Sequence, residues 1–364
     1  MKRILILGTR GIPAAHGGFE TFAEFLALYL VEHGWEVTVY CQEGEGNVLW
    51  EDEWKGVHRV HIPVHKGGAL GTIIFDWKST WHAAKQQGLV LTLGYNTAIF
   101  SFLYRIKGKT NLFNMDGLEW KRDKWSFPER AWLYLNERMG CLLGNHLIAD
   151  HPEIKNHLVT RVKPEKVTMI PYGANQVNTA DISLLDVYGL KGNEYSIVIA
   201  RPEPENSTLE IIRAFSCKPR GHKLLVLGKF LPENCYHQSV LDAASDEVIF
   251  PGAIYDKDIV NALRFYARIY IHGHTVGGTN PSLIEAMGAG SAVLAHDNRF
   301  NCWVAGDGAC FFKDEQACVD KFDDLLNSDE QVVAMKQVSV DRYLSMFTWD
   351  AILAQYEILL KKFI

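Results

Sequence analysis

The chain has 364 residues, of which 48% are hydrophobic and 22% charged, the make-up of a globular protein with room for two domains. A net charge of −6 and a pI near 6.2 exclude a general nucleic-acid binder, which needs a basic domain or stripe. Seven scattered cysteines, Cys41, Cys141, Cys217, Cys235, Cys302, Cys310 and Cys318, contain no Cys-x-x-Cys pair. They read as reduced thiols, not a disulfide frame or a zinc site.

The chain opens with an apolar run, Arg3–Leu7, and a loop, Gly8-Thr9-Arg10-Gly11-Ile12-Pro13. A second loop, His16-Gly17-Gly18, leads into a predicted helix on which Phe22, Phe25, Leu26, Tyr29 and Leu30 mark the buried face. Gly34 ends it and Val37–Tyr40 is the next expected strand. Strand, glycine loop, helix, strand is a βαβ unit and predicts a parallel sheet. Further strands are expected at Leu89–Leu93, Asn111–Met115, His146–Ala149 and Val167–Ile170, with a helix over Pro128–Cys141. The stretch 172–193 is poorly periodic and is expected to connect two domains. A second series predicts strands at Ser196–Ala200, Lys223–Leu227, Val248–Phe250, Ile269–His272 and Ala292–Ala295, with helices at Thr208–Phe215 and after Asp256. The expected fold is α/β: two Rossmann-like parallel-sheet domains, residues 1–175 and 190–345, facing across a cleft lined by the carboxyl ends of their strands. The amphipathic segment 349–364 is expected to pack back on the first domain.

Most of the chemistry lies in the run from His272 to Met287. It follows a strand and opens a helix, with Asn280 placed as N-cap and Pro281 at the first helical position. Gly277 and Gly278 allow close backbone approach, and Thr279, Asn280, Pro281, Ser282 and Leu283 carry the chain into a positive helix end that suits a diphosphate. Glu285, one turn in, either accepts hydrogen bonds from a ribose or is a surface acid. In the first half, Gly17, Gly18, Phe19 and Glu20 either face a ligand or make a tight turn with Glu20 as a first-turn acid. Asp116, before Gly117, either carries catalysis at a strand end or starts a turn. Asp150 also ends a strand, or caps the next segment.

Between Phe102 and Lys166 there are twelve Lys and Arg against eight Asp and Glu. Arg105, Lys107, Lys109, Lys121, Arg122 and Lys124 lie there among Phe102, Leu103, Tyr104, Trp120 and Trp125. Such a patch meets an anionic membrane surface or a phosphate-bearing acceptor, or is a solvated face. No apolar run reaches the roughly 18–20 residues that span a bilayer, and the N-terminus lacks a signal-peptide layout. The expectation is a cytoplasmic protein with at most peripheral contact at the inner face of the membrane. Asp256-x-Asp258 reads as a helix start, and His58, His61, His65, His272 and His274 as core or loop residues, so no metal is expected. Neither Gly-x-Gly-x-x-Gly nor Gly-x-x-x-x-Gly-Lys-Ser/Thr occurs, which argues against a nicotinamide dehydrogenase and a P-loop NTPase.

The His274–Met287 run resembles the donor motif of family 4 retaining glycosyltransferases, which have the GT-B fold. Gly8 to Pro13, Gly17 to Thr21, Asp116 to Arg122, and Ile170 to Ala174, which contains Tyr172, are similar to a bacterial rhamnosyltransferase subfamily of surface-polysaccharide synthesis. The resemblance implies a retaining transfer of a sugar, L-rhamnose from dTDP-rhamnose, to a lipid-linked or oligosaccharide acceptor. The nucleotide sugar would be the substrate, without a cofactor. It implies that Arg201 binds the donor with the Gly277–Glu285 loop; Lys229, after the strand Leu224–Leu227, is the candidate for further positive charge on the donor, and Asp116, at its strand end, is the catalytic candidate. Arg10, Gly17, Gly18, Phe19, Glu20, Glu119, Asp150 and Tyr172 would form the acceptor or phosphate side. Three positions depart from the family: its Glu-x7-Glu pair has Gly277 in first place, Asn206 stands where its phosphate-binding Lys does, and Asp116 stands where the wider family often has His. Alternatives are a sugar-nucleotide epimerase of the same fold and a binding protein without catalysis.

Overall fold

The computed structural model describes residues 2–15 and 17–364; His16 of the glycine loop lies outside them. The chain forms two units, Met1–Tyr172 with Trp349–Ile364, and Gly173–Thr348.

Among the described residues, the first unit's sheet has eight strands: β1 (Arg3–Leu7), β2 (Glu36–Glu43), β3 (Trp50–Trp54), β4 (Val57–Pro63), β5 (Leu89–Leu93), β6 (Asn111–Asn114), β7 (His146–Ala149) and β8 (Val167–Met169). Their order is β3-β4-β2-β1-β5-β6-β7-β8. All pairs are parallel except β3 with β4. Continuous apolar runs such as Ile4-Leu5-Ile6-Leu7 are buried on both faces, as parallel strands under helices require. The helices are α1 (Gly18–Glu32), α2 (Gly68–Ala83), α3 (Phe102–Ile106), α4 (Phe127–Leu143) and α5 (Pro152–Leu158). The C-terminal helix Trp349–Leu360 packs on α1: Phe25 stacks on Trp349 at 4.7 Å and Phe22 meets Tyr356 at 4.7 Å. Burying side chains of this size is worth about 1.5–3 kcal/mol each.

The hairpin β3–β4 is an addition to the expected strands. Trp50–Trp54 reads WEDEW, too charged to stand out, and forms an antiparallel edge. His61 lies buried on β4 between Glu43 and Asp52, at 2.5 and 3.0 Å, and stacks on Trp50.

The second unit's described sheet has six parallel strands: β9 (Tyr195–Ile199), β10 (Lys223–Leu227), β11 (Val248–Gly252), β12 (Ile269–His272), β13 (Ala292–His296) and β14 (Cys310–Phe312). Their order is β11-β10-β9-β12-β13-β14. Around it lie α6 (Thr208–Ser216), α7 (Cys235–Asp242), α8 (Lys257–Phe265), α9 (Pro281–Gly288), α10 (Arg299–Ala305), α11 (Glu315–Leu326) and α12 (Asp329–Met346). Part of the expected connection is built into this unit. A 3-10 helix at Ile182–Tyr188 follows the carbonyl of Ala180, which accepts from the Tyr266 hydroxyl at 2.7 Å.

In each sheet the direction of strand addition reverses at one strand. β1 lies between β2 and β5, and β9 between β10 and β12. The crevice beyond the carboxyl end of such a strand is where open α/β sheets bind ligands.

Candidate functional site

In the second unit, β10, β9 and β12 are neighbours, so the segments after them share one edge. They carry Lys229, Arg201 and the 273–280 loop. Arg201 and Lys229 are exposed. Gly273 lies so close to the Asn206 carbonyl that a Cβ there would come within 2.1 Å. The Thr275 amide and hydroxyl both donate to the Glu205 carbonyl at 2.9 Å. Asn298 and Asn301 donate to the His274 carbonyl at 2.9 and 2.8 Å. The loop is therefore held on both flanks.

Asn280 caps α9, its side chain accepting from the Ser282 amide at 3.0 Å, with Pro281 at the first helical position. Gly277 sits at φ +137° with open space where a Cβ would be. That conformation favours glycine. Asn206 is buried, and its amide donates to the Arg201 carbonyl at 2.8 Å. It holds the backbone of the Arg201 loop where a lysine would have presented charge.

Glu285 is not simply a surface acid. Its carboxylate accepts from Arg264 of α8 at 2.5 Å. Arg264 also donates to the Ser282 hydroxyl at 3.3 Å, which lies 2.7 Å from the Tyr270 hydroxyl. Arg264 is buried, and only tertiary structure reveals it. The Leu283 side chain is fully buried in the core, so only its backbone is left to serve a ligand.

In the first unit, Arg10, Gly17, Gly18, Phe19 and Glu20 line one cleft of about 360 Å³ at the β1 and β5 ends. Gly17, at φ 89°, caps α1 without a side-chain bond, and Glu20 lies in the first turn. A Cβ at Gly17 would lie 2.5 Å from the Glu20 carboxylate. Tyr172 donates to the Gly18 carbonyl at 2.8 Å and packs edge-on against Trp349 at 5.0 Å, steadying the glycine loop.

Asp116, Glu119 and Asp150 fall outside that cleft's lining. Asp116 follows β6 at φ 51°, in the left-handed region that aspartate and asparagine enter more readily than other non-glycine residues. Its amide donates to the Asn114 side chain at 3.1 Å. Burial first, then the Glu119 charge, raises its pKa above the usual carboxylate range. Glu119 is a hub: its carboxylate accepts from Arg122 at 2.6 Å and Trp125 at 3.3 Å, with Lys124 at 3.9 Å. Trp120 donates to the buried Glu137 at 2.5 Å, which also meets His157 and Arg161. Burial opposes the Glu137 charge, but these donors hold its pKa below normal. Asp150 follows β7, next to β6 in the sheet. The Tyr356 phenol is pushed up chiefly by burial, and Asp150 adds to it.

The basic stretch divides. Tyr104 is buried, and Arg122 and Lys124 are engaged with Glu119. Phe102 is exposed, and Trp77 and Trp81 of α2, which the sequence pattern did not mark, join it beside the half-buried Phe100. Lys85 lies over the Trp81 ring, and Arg105 and Lys107 are exposed nearby in sequence to Phe102. Among the described residues no group of three His, Cys, Asp or Glu is placed to hold a metal, and no helix is long and apolar enough to cross a membrane.

Two largely parallel α/β sheets, with a glycine loop entering a helix after β12, have the elements of a GT-B-type architecture. Residues 186–339 match the family described as glycosyl transferases group 1, and residues 1–175 match DUF1972, a domain of unknown function. Sucrose-phosphate synthase from Thermosynechococcus elongatus has a similar fold, with a TM-score of 0.83 at 16% identity, over 100% of this chain and 99% of that one. HepE from Anabaena, in complex with UDP and glucose, aligns at 0.79 and 14% identity over 100% of both chains. A glycosyltransferase from Rickettsia africae aligns at 0.75 and 17% identity, over 100% of this chain and 98% of that one. No curated protein matches the sequence.

Proposed function

We propose that the chain is a retaining glycosyltransferase that moves L-rhamnose from dTDP-rhamnose to a lipid-linked or oligosaccharide acceptor in bacterial surface-polysaccharide synthesis. The observation that carries the reading is the loop 273–280 entering α9 inside a group 1 glycosyltransferase domain. A diphosphate suits the positive end of α9, and exposed Arg201 and Lys229 add charge on the same sheet edge. Glu285, oriented by Arg264, receives the ribose hydroxyls. The leaving diphosphate is stabilised by preorganised donors, and a front-face attack lets it help take the acceptor proton. Asp116 orients the acceptor hydroxyl or stabilises positive charge on the sugar. In this reading the protein supplies neither a nucleophile nor a metal. The Trp77, Trp81 and Phe102 surface with Lys85 supports peripheral contact with an anionic membrane.

The test incubates the protein with dTDP-rhamnose, with and without a lipid-linked saccharide fraction extracted from bacterial membranes. Acceptor-dependent release of dTDP together with a rhamnosylated lipid supports the proposal. An isomerised nucleotide sugar formed without acceptor supports the epimerase, and binding without turnover supports a non-catalytic protein.

A further inference from the structure

The cleft of the first unit holds a carboxylate that no motif announced. Asp76, on α2, lines it together with Glu20, Arg10, Asn96, Thr97 and Phe19. One Asp76 oxygen accepts from the Thr97 hydroxyl at 2.7 Å. Among the described residues no cation is paired with it. Burial alone drives its pKa up to about 6, with the Thr97 bond only partly opposing. A carboxylate sunk against a wall with one hydroxyl donor is costly to desolvate. In a structural role it would be expected to have a cation or backbone amides around it.

The lining indicates which ligand would offset that cost. Thr72, Thr92 and Thr97 already donate their hydroxyl protons within the protein, so they are left to accept from a ligand, and Asn96 and Gln42 bring amides. Two acids, Asp76 and Glu20, face one cation, Arg10. That balance disfavours a phosphate and favours a neutral molecule rich in hydroxyls. Two adjacent hydroxyls of a pyranose can donate to the two oxygens of one carboxylate, and charge-assisted bonds of this kind are the strong ones. Phe19 offers an apolar wall for the C–H face of a sugar ring.

We infer that Asp76 is the residue by which this cleft, on the acceptor side of the transferase reading, selects an uncharged pyranose. The inference rests on the transferase reading for the word acceptor. The binding of a neutral sugar ring rests on the cleft itself.

The experiment uses the full chain and saturation-transfer NMR. The probes are methyl pyranosides of rhamnose, glucose, galactose and N-acetylglucosamine, with glucose 6-phosphate as the charged counterpart. At least one methyl pyranoside is expected to receive saturation, and glucose 6-phosphate none. Asp76→Ala is expected to weaken that binding about tenfold or more. Asp76→Asn, which keeps the shape and guards against a folding defect, is expected to weaken it in the same direction. Absence of transfer to every pyranoside, unchanged binding in both variants, or a preference for the sugar phosphate would overturn the inference. Thermal shift with dTDP and UDP on the same samples separates the two proposals. Pyranoside binding without any nucleotide response supports the subsite and removes the transferase reading; nucleotide response without pyranoside binding does the reverse.

Discussion

Arg264 and Glu285 form a 2.5 Å ion pair between α8 and α9, in which the guanidinium is almost wholly buried and the carboxylate keeps 39% of its side chain exposed. The buried partner fixes the acid while its outer edge remains open to a ligand. Glu285→Ala is therefore expected to do two things. It weakens nucleoside-diphosphate binding, and it leaves a buried cation unpaired. Breaking a fully buried pair costs about 3–5 kcal/mol; with Glu285 partly solvated, about 1–2 kcal/mol is expected. Glu285→Gln keeps the shape and should recover part of the stability but not the affinity. Calorimetry with dTDP and thermal melts of both variants check this. Unchanged affinity in both would remove the ribose assignment.

Asp116→Asn should cut turnover by about 10²–10⁴-fold and leave nucleotide affinity unaltered. Asparagine tolerates a left-handed backbone better than most residues, so φ 51° should not confound the variant. Steady-state kinetics beside a dTDP titration make the comparison, and equal kcat would clear Asp116 of a catalytic role.

The contribution of Asp76 to the pH dependence of stability has a definite sign. Asp76 is raised in the folded state to about 6, above the roughly 3.9 of an unfolded aspartate. The folded chain then holds a proton that the unfolded chain has lost. The contribution of Asp76 to stability is greatest below about pH 4, falls as pH rises towards 6 and levels off beyond it. Two pKa units correspond to about 3 kcal/mol. Asp76→Asn should therefore melt higher than the parent at pH 8, and the difference should fade towards pH 4. Comparing variant with parent cancels groups such as Glu137, which is shifted the other way. A variant less stable than the parent at pH 8 would contradict the burial account.

Gly277→Glu would restore the acid pair of the wider family in sequence only. At φ +137° a side chain is expected to cost about 1–3 kcal/mol. The variant should melt lower and gain no activity. A melting temperature equal to the parent's, together with a rise in kcat, would show that the backbone accepts the family residue.

Much of the fold was legible because a parallel strand covered on both faces is written as an unbroken apolar run. Leu89–Leu93 and Ile269–His272 have the same bounds in the sequence pattern and the structure. The α9 entry was legible because Asn280 and Pro281 announce a helix start. Trp50–Trp54 was not, because an exposed edge strand carries charge in place of alternation. Arg264 and Asp76 were missed for another reason. Arg264 meets Glu285 21 residues away, and Asp76 meets Thr97 21 residues away, so no local spacing links them. A trace of Asp76 existed: Thr72, Asp76, Ser79 and Thr80 recur at helical spacing on α2, a polar stripe that the structure turns into the cleft.

The central claim is that the second unit binds a nucleoside diphosphate as a sugar donor's leaving group. A thermal-shift panel of dTDP, UDP, GDP and NAD at equal concentration tests it most directly. The account predicts selective stabilisation by dTDP, lost in Glu285→Ala; a response to NAD alone, or to none of the four, would contradict it.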